Sequence, residues 1–206
     1  MGLLTIPATE ESFIQYLNAS QYIFANNYVF LMNQDIIPVL IPYNATDELL
    51  DELLSSVNGV FLTGGNIDLI DSETGQKHRY MYSVFTSDYD KYAGLNRNLK
   101  ITSTYTGNDG TEIVVSVEHQ IYPIYGMINH PEIVFDKTID INVSRSPIQF
   151  KFAKQVAQFL KQMCQKSTQQ FQSQDFLNQW KVENSIPGQL GFIYYFSDTF
   201  GINYEG

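Results

Sequence analysis

Ile36-Ile-Pro-Val-Leu-Ile-Pro-Tyr-Asn-Ala-Thr46-Asp-Glu-Leu-Leu-Asp-Glu-Leu-Leu-Ser-Ser-Val-Asn-Gly-Val60-Phe-Leu62 is the stretch on which the fold turns. Its first part, Asp35–Pro42, is apolar on both faces, as a strand is when helices cover a parallel sheet from both sides. Thr46 then stands where a helix N-cap belongs, and Asp47 and Glu48 suit the positive end of a helix dipole. Leu49, Leu50, Leu53, Leu54 and Val57 recur at helical spacing and predict the buried stripe. Asn58-Gly59 stops the helix, and Val60-Phe-Leu62 resumes as a short apolar strand. Strand, helix, strand in that order is a parallel crossover unit.

Outward from this unit, Gly2-Leu-Leu-Thr-Ile6 reads as a first strand, and Tyr22, Ala25, Val29 and Met32 predict a helix over residues 19–33. Residues 1–66 therefore alternate strand and helix, the beginning of a doubly wound α/β domain. Further on, Leu99–Thr106 and Glu112–Glu118 flank Gly107-Asn-Asp-Gly110, turn chemistry that joins antiparallel strands. A strand over Tyr122–Ile128 follows. Ser146-Pro-Ile-Gln149 combines a capping box with proline at the first helical position, ahead of an expected buried stripe of Ile148, Phe152, Val156, Phe159, Leu160 and Met163. Lys166–Gln179 is rich in Gln and Ser and reads as loose, with one more strand over Leu190–Phe196. The expected organisation is one domain over 1–165, with 166–206 an irregular extension packing on it.

The chain has 206 residues, and its 12 Lys+Arg against 22 Asp+Glu give a net charge of -10. That balance repels phosphate backbones and anionic lipid, so neither nucleic acid nor membrane is an expected partner. No apolar run approaches the roughly 18 residues a membrane span needs, and no basic n-region or apolar h-region follows Met1. Sequons stand at Asn18-Ala-Ser20, Asn44-Ala-Thr46 and Asn142-Val-Ser144, leaving compartment open. The lone Cys164 excludes an intrachain disulfide, and its spacing after Leu160 predicts a small core residue. No His, Cys, Asp and Glu set has zinc-site spacing, so neither metal nor cofactor is expected.

Two constellations could carry chemistry. Thr63-Gly64-Gly65 follows a strand, where paired glycines expose backbone N–H groups able to hold an oxyanion; an ordinary turn is the plainer reading. Ile121-Tyr-Pro-Ile-Tyr-Gly-Met-Ile-Asn-His130-Pro-Glu132 is read as an apolar strand ending in a histidine with a carboxylate two residues on, a base and its orienter; a surface turn is the alternative. His78, in Lys77-His78-Arg79, and His119 are lesser candidates, His119 being read as solvated.

Together these stretches resemble the folate γ-glutamyl hydrolases, cysteine hydrolases of the peptidase C26 type with the class I glutamine-amidotransferase-like fold. Gly2–Pro7, Tyr22–Tyr43 and Ile141–Leu160 also resemble the family, although Ser144-Arg-Ser146-Pro replaces its usual Ser-His pairing. The resemblance implies a flavodoxin-like, mostly parallel sheet with flanking helices. It also implies a thiolate attacking a γ-glutamyl amide, with His130 as base, Glu132 orienting it, Gly64 and Gly65 forming half of the oxyanion hole, and His78 near substrate. The implied ligand is a γ-glutamyl compound or folate polyglutamate, and the implied location is lysosomal, vacuolar or secreted; a homodimer stays open. Lys77, Arg79, Lys91, Arg97 and Lys100 are the cations an anionic glutamate would need.

The departure lies between the glycine loop and His78. There the family carries a strand, a Gly-x-Cys-x-Gly nucleophile elbow and a helix, whereas Leu69–Lys77 alone joins the two here. No Gly-x-Ser-x-Gly replaces it. One internal strand-helix segment is thus expected to be lacking, and with it the nucleophile. Three readings stay open: a hydrolase product without that segment and inactive in this form, a pseudohydrolase that binds γ-glutamyl compounds or pairs with an active paralogue, and a shared fold alone.

Overall fold

The computed structural model describes residues 1–8, 19–62, 69–70, 77–78, 84–85, 98–135, 145–185, 188–190 and 193–197. They form two compact units, one of residues 1–64 with 131–206 and one of residues 65–130.

The first unit is built on strands β1 (Gly2–Leu4) and β2 (Ile6–Pro7), β3 (Ala19–Phe24), helix α1 (Ala25–Met32), β4 (Val39–Ile41), α2 (Asp47–Ser56) and β5 (Val60–Phe61). Strands β4, β1 and β5 lie side by side in that order, all parallel, with Leu3 in register with Leu40 and Phe61. This is the α/β arrangement expected from the crossover unit, with the first strand between the next two. Leu3, Leu40 and Phe61 share one face, packing with Ile23, Phe30 and Phe196, while Val39 on the other face packs with Leu49, Leu53 and Val57 of α2. Gly2 lets the strands approach closely: a Cβ there would make the end of the Ile41 side chain shift. Helix α2 begins as expected, with Thr46 Oγ1 accepting from the Leu49 N–H at 3.3 Å. Among the described residues no fourth strand pairs with β5.

The helix expected over 19–33 is a strand followed by a shorter helix. Tyr22, Ile23 and Phe24 have the side chains that suit a pleated surface, and a strand far along the chain supplies the partner that local periodicity could not reveal.

Two more strands, β6 (Leu69–Ile70) and β7 (Lys77–His78), pair antiparallel in the second unit. The rest of that unit is β8 (Val84–Phe85), β9 (Leu99–Thr106), β10 (Glu112–His119) and β11 (Tyr125–Met127), with β10 pairing antiparallel to the other three. The hairpin turn is the one its residues predict: Gly110 takes φ 81°, and Asp109 accepts from the Thr111 N–H at 3.0 Å.

Back in the first unit, a 3-10 helix (Pro131–Phe135) precedes α3 (Pro147–Cys164). Gln149 Oε1 accepts from the Ser146 backbone N–H at 3.2 Å, the reciprocal half of a capping box, with Pro147 opening the helix. The buried face of α3 is rotated from the expected stripe. Ala153 and Ala157 are fully buried against Phe30, Leu31 and Val134, with Phe150, Val156 and Leu160 at their margin, whereas Ile148 is 74% and Phe152 42% exposed. Small residues let the helix approach α1 closely, a preference that counting large apolar side chains misses.

The C-terminal segment is also more ordered than its composition suggests. It forms α4 (Gln174–Trp180), α5 (Val182–Ser185), β12 (Gly188–Leu190) and β13 (Ile193–Ser197). Ser173 caps α4 by accepting from the Phe176 N–H at 3.0 Å, and Phe176 and Trp180 pack under α2. Strand β13 runs antiparallel to β3 with Tyr194 opposite Ile23, and Phe196 is fully buried beside Leu3. The tail is thus not an irregular extension but part of the first unit's core.

Candidate active site

Open α/β sheets bind ligands beyond the carboxyl ends of their strands. At that end of the parallel sheet, just past β1 and β4, lies a buried polar cluster. Thr5 Oγ1 donates to Gln21 Oε1 at 2.5 Å and accepts from the Tyr43 backbone N–H at 2.8 Å. Thr5 and Gln21 are both essentially closed to solvent. These two residues were not candidates on sequence grounds, because a threonine and a glutamine inside apolar runs carry no motif. The cluster joins β3 with the residues just past β1 and β4, distant from one another in sequence.

Gly64 and Gly65 follow the carboxyl end of β5 in the chain but lie outside the described residues, as do Thr63 and Asn66. His78 is the second residue of β7, with its backbone opposite Leu69; its side chain lies outside the described part. His130 comes three residues after β11 and is exposed. The strand before it is shorter than expected and belongs to the antiparallel sheet of the second unit, not to the parallel sheet. The residues leading into it are largely solvated: Ile121 is 80%, Tyr122 61% and Ile124 55% exposed. His119 sets that geometry, since its Nδ1 accepts from the Ile121 and Tyr122 N–H groups, each at 3.1 Å, and turns the chain. The solvated histidine expected there therefore holds a tight turn.

Glu132 lies in the first turn of the 3-10 helix and is 8% exposed; it belongs to the first unit, and His130 is the last residue of the second. Of the cations expected near a glutamate, Lys100 is engaged elsewhere, pairing with Glu118 at 3.1 Å across the β9–β10 hairpin. Arg79, Lys91 and Arg97 lie outside the described residues, as does the side chain of Lys77. No group of three or more His, Cys, Asp and Glu among the described residues could hold a metal ion.

The chain's one thiol is at the wrong end of the sheet for this site. Cys164 Sγ lies 3.3 Å from where a Cβ on Gly59 would stand, at the amino end of β5, beside the Met1 side chain that precedes β1. The glycine loop leaves from the other end. Burial pushes the Cys164 thiol above its ordinary pKa, with the Met1 ammonium opposing that shift more weakly. A catalytic thiol needs the opposite displacement, toward thiolate.

The family model of Peptidase C26 matches residues 3–94. No curated protein matches the chain. The matched part is rather less than half of the sequence, spanning the parallel sheet, the glycine loop and His78 but ending before His130 and Glu132. It supports a peptidase or amidotransferase-like class for the chain. Within that C26-like part no cysteine occurs.

Proposed function

We propose that this chain is a catalytically silent protein of the γ-glutamyl hydrolase type, with Gly64 and Gly65 as oxyanion donors, His130 as base and Glu132 as its orienter. The proposed ligand class is γ-glutamyl compounds such as folate polyglutamates, with His78 beside the substrate. The observation that carries the reading is the location of Cys164: the only thiol sits at the amino end of the parallel strands, raised in pKa. Without a nucleophile a positioned base has nothing to activate, and losing the nucleophile of a triad costs on the order of 10⁶ in kcat.

The purified chain is expected to release no glutamate from a folate polyglutamate, and Cys164→Ser is expected to leave that baseline unchanged. Insertion of a strand, Gly-x-Cys-x-Gly elbow and helix between Asp71 and His78 should restore hydrolysis, and His130→Ala should abolish it again. Turnover by the unmodified chain that disappears in Cys164→Ser would overturn the proposal.

A further inference from the structure

The net charge of -10 hides a strong asymmetry. Between Asp140 and Asp175 there is no acidic residue, yet Arg145, Lys151, Lys154, Lys161 and Lys166 supply five of the 12 basic ones. Most of this stretch is α3, whose apolar surface is wider than its buried face. Ala153 and Ala157 turn inward, while Ile148, Phe152 and Phe159 line an outward strip at 74%, 42% and 37% exposure. Lys151 flanks that strip, and Lys154 stands exposed further round the helix on the same side; among the described residues neither has an ion-pair partner, whereas Lys161 has one in Asp35 at 3.1 Å.

The complementary surface is present on the same chain. Helix α2 carries Asp47, Glu48, Asp51 and Glu52 with no basic residue. Asp47, Asp51 and Leu54 recur at helical spacing on its solvent side, with Leu54 39% exposed. Ile148 to Phe159 spans about 16 Å and the ten-residue α2 about 15 Å at 1.5 Å per residue, so one helix can cover the other end to end. Pairing α3 with α3 of another copy would instead set lysine against lysine.

We propose that α3 of one copy docks on α2 of a second copy, with Ile148 and Phe152 against Leu54, Lys151 against Asp47 and Asp51, and Lys154 at the edge of the contact adding to the attraction. Because α2 and α3 cover opposite faces of the parallel sheet, the contact is head-to-tail and can continue beyond two chains.

Sedimentation velocity on the full chain tests this, from 1 to 200 μM in low and in 0.5 M salt. Wild type is expected to shift to at least twice the monomer mass at low salt, with an apparent Kd about tenfold weaker at high salt. K151E/K154E alone and D47K/D51K alone should each stay monomeric, and an equimolar mixture of the two should associate again, which a folding defect could not produce. A monomeric wild type at the highest concentration, or no recovery in the mixture, overturns the proposal. So does co-flotation of a monomeric chain with phosphatidylserine vesicles that K151E/K154E abolishes, since the helix would then serve a membrane.

Discussion

Thr5 Oγ1 both donates to Gln21 and accepts from the Tyr43 N–H, tying together strands β1, β3 and the end of β4 with a single hydroxyl. Thr5→Val keeps the volume but removes the hydroxyl that donates to Gln21 and accepts from the Tyr43 N–H, which costs about 1–3 kcal/mol. Urea unfolding should record that loss; a change within about 0.5 kcal/mol, the range of ordinary surface substitutions, would show the cluster to be incidental. Cys164 illustrates the opposite case, a side chain whose chemistry is suppressed by its place. With its thiol raised by burial, native labelling by iodoacetamide at pH 8 should run at least about tenfold slower than in 6 M guanidinium. The sequence marked Cys164 as a core residue; it is instead half-buried at the margin, beside Gly59 and the Met1 side chain.

Among the elements, α3 tests how a helix chooses its inward face. Ala153→Leu adds methylenes where Phe30, Leu31 and Val134 leave no room and should destabilise by about 1–3 kcal/mol, whereas Ile148→Ser on the solvent side should change stability by less than about 0.5 kcal/mol. Thermal melts of the two variants decide it, and the reverse order would restore the stripe expected from large side chains. Around the β3–β13 pair and α1, burial pushes the phenols of Tyr22, Tyr28 and Tyr194 above 10.0; for Tyr28 the charges of Glu183 and Tyr194 add to it. A raised folded-state pKa means the stability is fully present below the ordinary phenol value and is lost as pH rises through the raised ones. The unfolding midpoint should therefore hold up to about pH 9.5 and fall beyond pH 10, more shallowly in Tyr28→Phe.

For the molecule as a whole, the termini are not independent of the sheet. Strand β13 pairs with β3, and Phe196 closes the core beside Leu3, Ile23 and Leu40. A chain ending at Ser185 exposes that edge and core, and it should lose cooperative thermal unfolding, where Phe196→Ala alone should cost about 3–5 kcal/mol. A sharp, unshifted melt of the shortened chain would show that the C-terminal strands are dispensable.

Local chemistry was enough for the individual elements of the crossover unit, the Thr46 and Ser146 helix starts and the Gly107–Gly110 hairpin, because caps, turns and periodicity are set by residues a few positions apart. The absence of a cysteine elbow was equally legible, since it is a fact of composition and spacing. Only the tertiary structure decided that Tyr22–Phe24 is a strand, that alanines rather than phenylalanines turn α3 inward, and that Trp180 and Phe196 belong to the core. Each of these depends on a partner distant in sequence, and burial against that partner outweighs the weak local preference of the segment itself. The same holds for the thiol: the sequence says there is one, and the fold decides that it stands at the amino end of β5, beside Gly59 and Met1.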